Sequence, residues 1–378
     1  MKKTTKKIIS IFLISAFFLS VNVMAEENKP AVSFALGTID ISDVLSGMVP
    51  TYLQAGIAYH GIELIDGKKT TLKVLLGGAR TAYTLWTDAV GDPLITTPAD
   101  LDVLKFAFWQ ADIKAHLEQE LIGNLNAYAE WNTVWALPVE NIGGTASTIL
   151  DSGSSTAAYP DKDGMVSNIL KIGILYDTVH KGHMIEGIET ELSFTAAPAL
   201  LLNELFGKTD FYQANLTIEG FLPLYTIPMD GEPENQWLSL YIADRIQADY
   251  IWGSAVPQLF QKYPSLGKKM RGFEANSLGV NLTAVNNFEL RASGPELVLF
   301  DMSFGYPRIN LFADTGYCGG FYYNTETAGT EFTASAGVEA AVDIFNFVDI
   351  GYRYGFILAG ENIAGSSSFG ELFFFLHW

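Results

Sequence analysis

Lys268-Lys269-Met270-Arg271-Gly272-Phe273-Glu274-Ala275-Asn276-Ser277-Leu278-Gly279 ends a long polar connection, and five short alternating segments follow it to Trp378. An arginine beside a glycine at a loop tip, ahead of such segments, suggests a loop that folds back and pairs its charge inside a barrel. Lys268 and Lys269 read as the stem of that loop, outside the barrel. The rest of the chain has to be consistent with a barrel for this reading to hold.

The alternation upstream is consistent with one. In 107–120, Ala107, Trp109, Ala111, Ile113, Ala115 and Leu117 alternate with Phe108, Gln110, Asp112, Lys114, His116 and Glu118. In 187–196, Ile188, Thr190, Leu192, Phe194 and Ala196 alternate with Gly187, Glu189, Glu191, Ser193 and Thr195. A strand crossing lipid needs one apolar row outside and one polar or small row inside, for about ten residues. Thirteen segments qualify, roughly at 51–64, 71–86, 104–119, 123–137, 167–179, 184–198, 210–226, 236–252, 282–292, 307–317, 332–342, 347–357 and 369–378. The loop polarity requires an outward strand before the first of them, and 31–41 supplies it. The fold class is therefore an all-β, antiparallel transmembrane β-barrel of about 14–16 strands.

The connections support a membrane setting. Short ones, such as Asp66-Gly67-Lys68-Lys69 and Leu121-Ile122-Gly123, alternate with long ones near 87–102, 139–166 and 253–281. Short turns on one rim and long loops on the other are the outer-membrane pattern. The connection 293–306 is long on the short rim, and 200–209 is modest on the long rim.

The first residues place lysines at 2, 3, 6 and 7 before an apolar run from Ile8 to Val23, ending on Val23-Met24-Ala25. That is a signal-peptide pattern with cleavage before Glu26, giving two parts, 1–25 and a barrel over 26–378. The formal net charge of −19 excludes a nucleic-acid partner, which would need a basic patch. Cys318, the single cysteine, permits no intrachain disulfide. The five histidines, at 60, 116, 180, 183 and 377, are scattered, and His180 and His183 beside Gly182 make a poor metal site. No cofactor motif, G-x-S-x-G or nucleophile with an obvious paired base is present.

The carboxyl-terminal third carries a family resemblance. Met270-Arg271-Gly272-Phe273 resembles the (V/I)RG(F/Y) loop motif of the BamA/TamA-type outer-membrane assembly and translocation superfamily, the bacterial surface antigens. Asn287-Phe288-Glu289-Leu290-Arg291 resembles the strand after that loop, and Phe312-Ala313-Asp314-Thr315-Gly316 the (F/G)xDxG strand motif. The resemblance covers roughly 268–378 and implies an Arg271 pair with Asp314, with Gly272, Phe273 and Glu289 beside it. Alternation agrees, since Asp314 falls on one face with Arg308, Asn310, Phe312 and Gly316, and Glu289 with Thr283, Asn287 and Arg291. The closing Leu372, Phe374, Leu376 and Trp378 resemble the carboxyl-terminal signal read by the barrel-assembly machinery, and closure against the first strand is expected.

The resemblance implies an integral outer-membrane protein in contact with outer-membrane lipid and the barrel-assembly machinery. Its expected work is non-enzymatic assembly, translocation or surface attachment with a periplasmic or surface protein partner. Between Ala25 and the first strand there is no room for a POTRA repeat, so the chain resembles a barrel-only member. Two other readings stay open, a cation-preferring diffusion porin and an outer-membrane lipase or protease.

Overall fold

The structure is a computed structural model that describes residues 32–40, 52–84, 105–140, 164–181, 185–207, 209–228, 237–257, 260, 266, 269–273, 280–299, 302–321, 330–344, 348–360 and 366–376. Fourteen strands form a single antiparallel path in which each strand pairs with the next in sequence. The first seven are β1 (Val32–Asp40), β2 (Tyr52–Ile62), β3 (Thr70–Thr84), β4 (Lys105–Ile122), β5 (Leu125–Glu140), β6 (Met165–Asp177) and β7 (Ile185–Ala197). The second seven are β8 (Asp210–Pro228), β9 (Trp237–Ala255), β10 (Val280–Ser293), β11 (Met302–Phe321), β12 (Thr330–Ile344), β13 (Val348–Ala359) and β14 (Ser368–Leu376). All-β architecture and fourteen strands agree with the sequence expectation.

Period-two patterning sets which side chains go where, because successive residues of a strand point to opposite faces. On β11, Ile309, Leu311 and Tyr317 are exposed on the outside, whereas Asn310, Phe312 and Asp314 are buried inside. On β6, Leu170, Ile172, Ile174 and Tyr176 face out, and Lys171 faces in, where it pairs with Glu191 of β7. The result inverts a water-soluble protein. Large apolar side chains cover the outer surface, and charges line the interior.

Two irregularities explain the connections that fitted poorly. In 293–306, Leu297–Leu299 forms a short strand that pairs with the start of β11, so β11 begins five residues before Pro307. Between β7 and β8, Asn203–Gly207 forms a short π-type turn.

Closure differs from the expectation. Among the described residues no ladder joins β1 to β14, although their Cα atoms approach within 8 Å. The sheet curls round without sealing, and β1 and β14 present two edges to one another. The signal peptide expected at 1–25, and the closing Trp378, lie outside the described residues.

Candidate functional site

The connection between β9 and β10 turns into the interior. Phe260 packs on Phe211 of β8, with ring centroids 5.0 Å apart. Lys269 and Met270 both donate their backbone N–H to Leu266 O at 2.9 Å, making a tight turn. Leu266, Met270 and Phe273 are then buried with Val285, Cys318 and Ile357, and Phe369 packs against the cluster. Apolar burial of this kind holds the segment in place independently of charge. Gly272 has φ +85°, and a Cβ there would collide with Phe369 and Ile357. Only glycine combines that left-handed backbone with so close an approach.

Arg271 sits at the centre of this turn, 7% exposed, with Asp314 fully buried at 0%. Its Nε donates to Asp314 Oδ2 at 2.8 Å and its Nη2 to Asp314 Oδ1 at 2.5 Å. The Arg271 backbone N–H adds a third bond, to Asp314 Oδ2 at 3.0 Å. Nη1 donates to Glu289 Oε1 at 2.8 Å and lies 4.0 Å from Glu339 Oε2. The guanidinium carbon stands 4.0 Å from the centre of the Phe312 ring, a geometry in which the ring face attracts the cation. Ser335 Oγ donates to Arg271 O at 2.8 Å. One residue thus binds β10, β11 and β12 together. The planar fork of arginine suits this two-pronged contact in a way that a lysine ammonium would not.

The neighbouring charges form a network. Arg291 Nε donates to Glu289 Oε2 at 2.5 Å, and Arg308 Nη2 lies 2.9 Å from Asp349 Oδ2 and 3.5 Å from Glu339 Oε1. Buried carboxylates are tolerable when each meets a cation or a donor. Glu339 and Ser335 had no assigned part in the sequence reading. Alternation alone puts Glu339 on the inner row of its strand, opposite Val338 and Ala340, so the signal was there to be used.

Lys269 corrects an expectation. It lies inside the barrel, not on an outer stem, with Nζ bonded to Asp249 of β9 and to Thr283 Oγ1 of β10 at 3.0 Å. Asn287 Nδ2 donates to Lys269 O at 2.9 Å, and Asn215 also bonds Asp249. The turn that buries Met270 carries its neighbour inward with it. Lys268 lies outside the described residues.

The opposite wall holds a second polar group. Lys114 Nζ and His116 Nδ1 lie 3.4 and 3.3 Å from Glu130, and Lys171 Nζ lies 2.8 Å from Glu191, which also accepts from Tyr128. Nearer the seam, Ser33 Oγ stands 3.0 Å from His60 Nε2, and His60 Nδ1 stands 3.1 Å from Thr71 Oγ1. This chain ties β1, β2 and β3, and its members are too far apart in sequence for spacing to reveal it. Of the carboxyl-terminal residues, Leu372 is exposed on β14, and Phe374 and Leu376 lie on the same strand, paired with Ile350 and Val348 of β13.

Among solved structures, the chain is similar to BamA from Haemophilus ducreyi lacking POTRA domains 1–3. The TM-score is 0.51 at 14% sequence identity, over 92% of this chain and 71% of that one. The chain has the fold of that barrel. No protein-family model and no curated protein matches the sequence. At this identity the likeness speaks to architecture, and the arginine lock described above is read from this chain's own residues.

Proposed function

We propose that this chain is an integral outer-membrane β-barrel that works without covalent chemistry, in the assembly, translocation or surface attachment of another protein. The observation that carries the reading is the seated loop. Arg271 is buried against Asp314 and Glu289, so the interior is occupied by the chain's own segment instead of being left as a wide aqueous path. A diffusion porin needs an open lumen, and the placement of Leu266, Met270 and Phe273 works against one. The outer surface of exposed leucine, isoleucine and aromatic side chains supports a bilayer as its surroundings. Among the described residues no ladder joins β1 to β14, and a sheet that is not closed there can take a further strand, which supports a role with a polypeptide partner.

The test is mild solubilisation of the outer membrane followed by identification of co-purifying proteins. A defined partner, retained by the unchanged chain and lost when Arg271→Ala releases the loop, is the expected result. Recovery of the chain in the soluble periplasmic fraction, or a large steady pore in planar bilayers, would overturn the reading.

A second reading rests on the Ser33–His60–Thr71 chain, which has the order of a hydroxyl nucleophile, a base and an orienting group. A serine-directed fluorophosphonate applied to the folded protein decides it. The expected result is no labelling at Ser33, and labelling lost in Ser33→Ala and His60→Ala would establish an esterase-like site.

A further inference from the structure

The connection between β7 and β8 is an exception to the polarity of loops. Pro198 ends β7, and the next residues are Ala199-Leu200-Leu201-Leu202-Asn203-Glu204-Leu205-Phe206-Gly207. Leu200, Leu201, Leu202, Leu205 and Phe206 are all exposed, Leu201 at 81% and Leu205 at 74%. Five large apolar side chains on one short loop form a patch that water does not favour.

The loop is nonetheless firmly built. Asn203 is buried, and its side-chain amide takes the place of a neighbouring strand. Asn168 N donates to Asn203 Oδ1 at 2.5 Å, while Asn203 Nδ2 donates to Asn168 O and to Pro198 O, both at 2.9 Å. The ladder between β6 and β7 ends at the pair Leu170–Ala196, so this amide continues it beyond the end of β7. Ser167 Oγ and Thr209 Oγ1, 2.8 Å apart, fasten the far side. Leu201 has φ +52° without being glycine, a backbone region that is unfavourable for a branched side chain. The fixed loop holds its leucines outward despite that strain.

What lies directly below the loop identifies its surroundings. Phe194, Tyr212, Tyr250 and Trp252 stack side by side on the outer faces of β7, β8 and β9, with ring centroids 5.1 to 6.2 Å apart. Aromatic clusters on the outside of a barrel mark the level where hydrocarbon gives way to headgroups. Phe194 stands three residues before the end of β7 and Tyr212 two residues after the start of β8. At about 3.4 Å per residue the loop begins within roughly 10 Å of that level, inside the interfacial layer of a bilayer. The apolar patch is thus continuous with the outer face beneath it.

We infer that the Leu200–Phe206 loop is an interfacial foot, whose apolar side chains insert into the lipid leaflet on the rim shared with the Arg271 loop. The occupant is bilayer lipid, at the boundary between headgroups and acyl chains. The Asn203 bonds hold the foot at a fixed height, so it sets how deeply that side of the barrel sits and resists its tilting. The inference rests on the reading of the outer face as lipid-facing.

The test is depth-resolved fluorescence of the full chain refolded into phosphatidylcholine vesicles. An environment-sensitive dye is attached to Leu205→Cys or, should that variant refold poorly, to Phe206→Cys. Ile246→Cys, on the exposed outer face of β9 six residues before Trp252, is the control, and the unchanged chain gives the background from buried Cys318. The expected result is loss of about half the emission at 205 or 206 with lipid brominated near the headgroup, less with bromine near the chain ends, and little effect of aqueous iodide. Strong quenching by iodide and none by brominated lipid places the loop in water and overturns the foot. Protection from both quenchers means another protein or a second copy covers the loop, which also overturns it. If Ile246→Cys is not quenched by deep bromine, the membrane reading itself fails. If Ile246→Cys is quenched while 205 and 206 are not, only the foot fails.

Discussion

The two interior walls use the same residue types to different ends. On the wall made by β10 to β12, Glu289, Asp314 and Glu339 are buried against Arg271 of the inserted loop. On the wall made by β3 to β7, Lys114, His116, Glu130, Lys171 and Glu191 pair at similar distances with no described loop segment above them, and the Lys171 and Glu191 side chains keep about a third of their surface, 30% and 34%. Distance alone would rank the pairs as equals. Solvent access separates them, because a covered charge that loses its partner has nothing to replace it, whereas an open one recruits water.

The sharpest way to break this contrast is to cut the covered pair. Arg271→Ala or Asp314→Ala should each cost on the order of 3–5 kcal/mol, read as a lower urea midpoint of the refolded barrel and as protease access to the loop. The double variant should be less damaging than the two losses added together, since neither charge is then left alone. Silent or simply additive effects would mean that the pair does not hold the loop. Gly272→Ala comes next, at about 1–3 kcal/mol, because it adds both a strained backbone and a collision with Phe369 and Ile357. It should open the loop to protease while leaving the charges intact, which separates shape from electrostatics.

Lys269→Ala should have an intermediate effect, at about 1–2 kcal/mol, because Asp249 keeps its bond from Asn215 after the lysine is gone. An effect as large as that of Arg271→Ala would show that the loop has two equal fastenings. The smallest change belongs to the open wall. Lys171→Ala should cost at most about 1 kcal/mol, and raising salt should shrink that difference. If it matched Arg271→Ala, the distinction between covered and open walls would be lost.

The strands were legible because an apolar outer face and a polar interior impose strict period two, and most boundaries fall within a few residues of where that alternation ends. Pro307 hid the start of β11, since proline normally argues against a strand interior, and the short Leu297–Leu299 pairing supports it there. The inward facing of Asp314 and Glu289 followed from strand parity. Lys269 was misplaced because a loop has no periodicity, and the site of its ammonium is fixed by Asp249 and Thr283, residues on separate strands. The Ser33–His60–Thr71 chain was hidden for the same reason. Strand closure was inferred from a general need to satisfy edges, a need that acts on the whole assembly and writes nothing into any one segment.

The order in which Arg271 meets its partners has a consequence for biogenesis. Asp314, Glu289, Ser335 and Glu339 all come later in the chain than the loop that binds them, as do Ile357 and Phe369 around Gly272. Until those later strands are in place, no docking place for the loop exists. Once β10, β11 and β12 find their register, three carboxylates converge on one patch and repel one another until the arginine arrives. The arginine can settle only after that register is correct, and a slip of one residue would turn Asp314 to the outside. Seating of the loop thus depends on the last third of the sheet being laid down in the right alignment, which the contacts of a single side chain register.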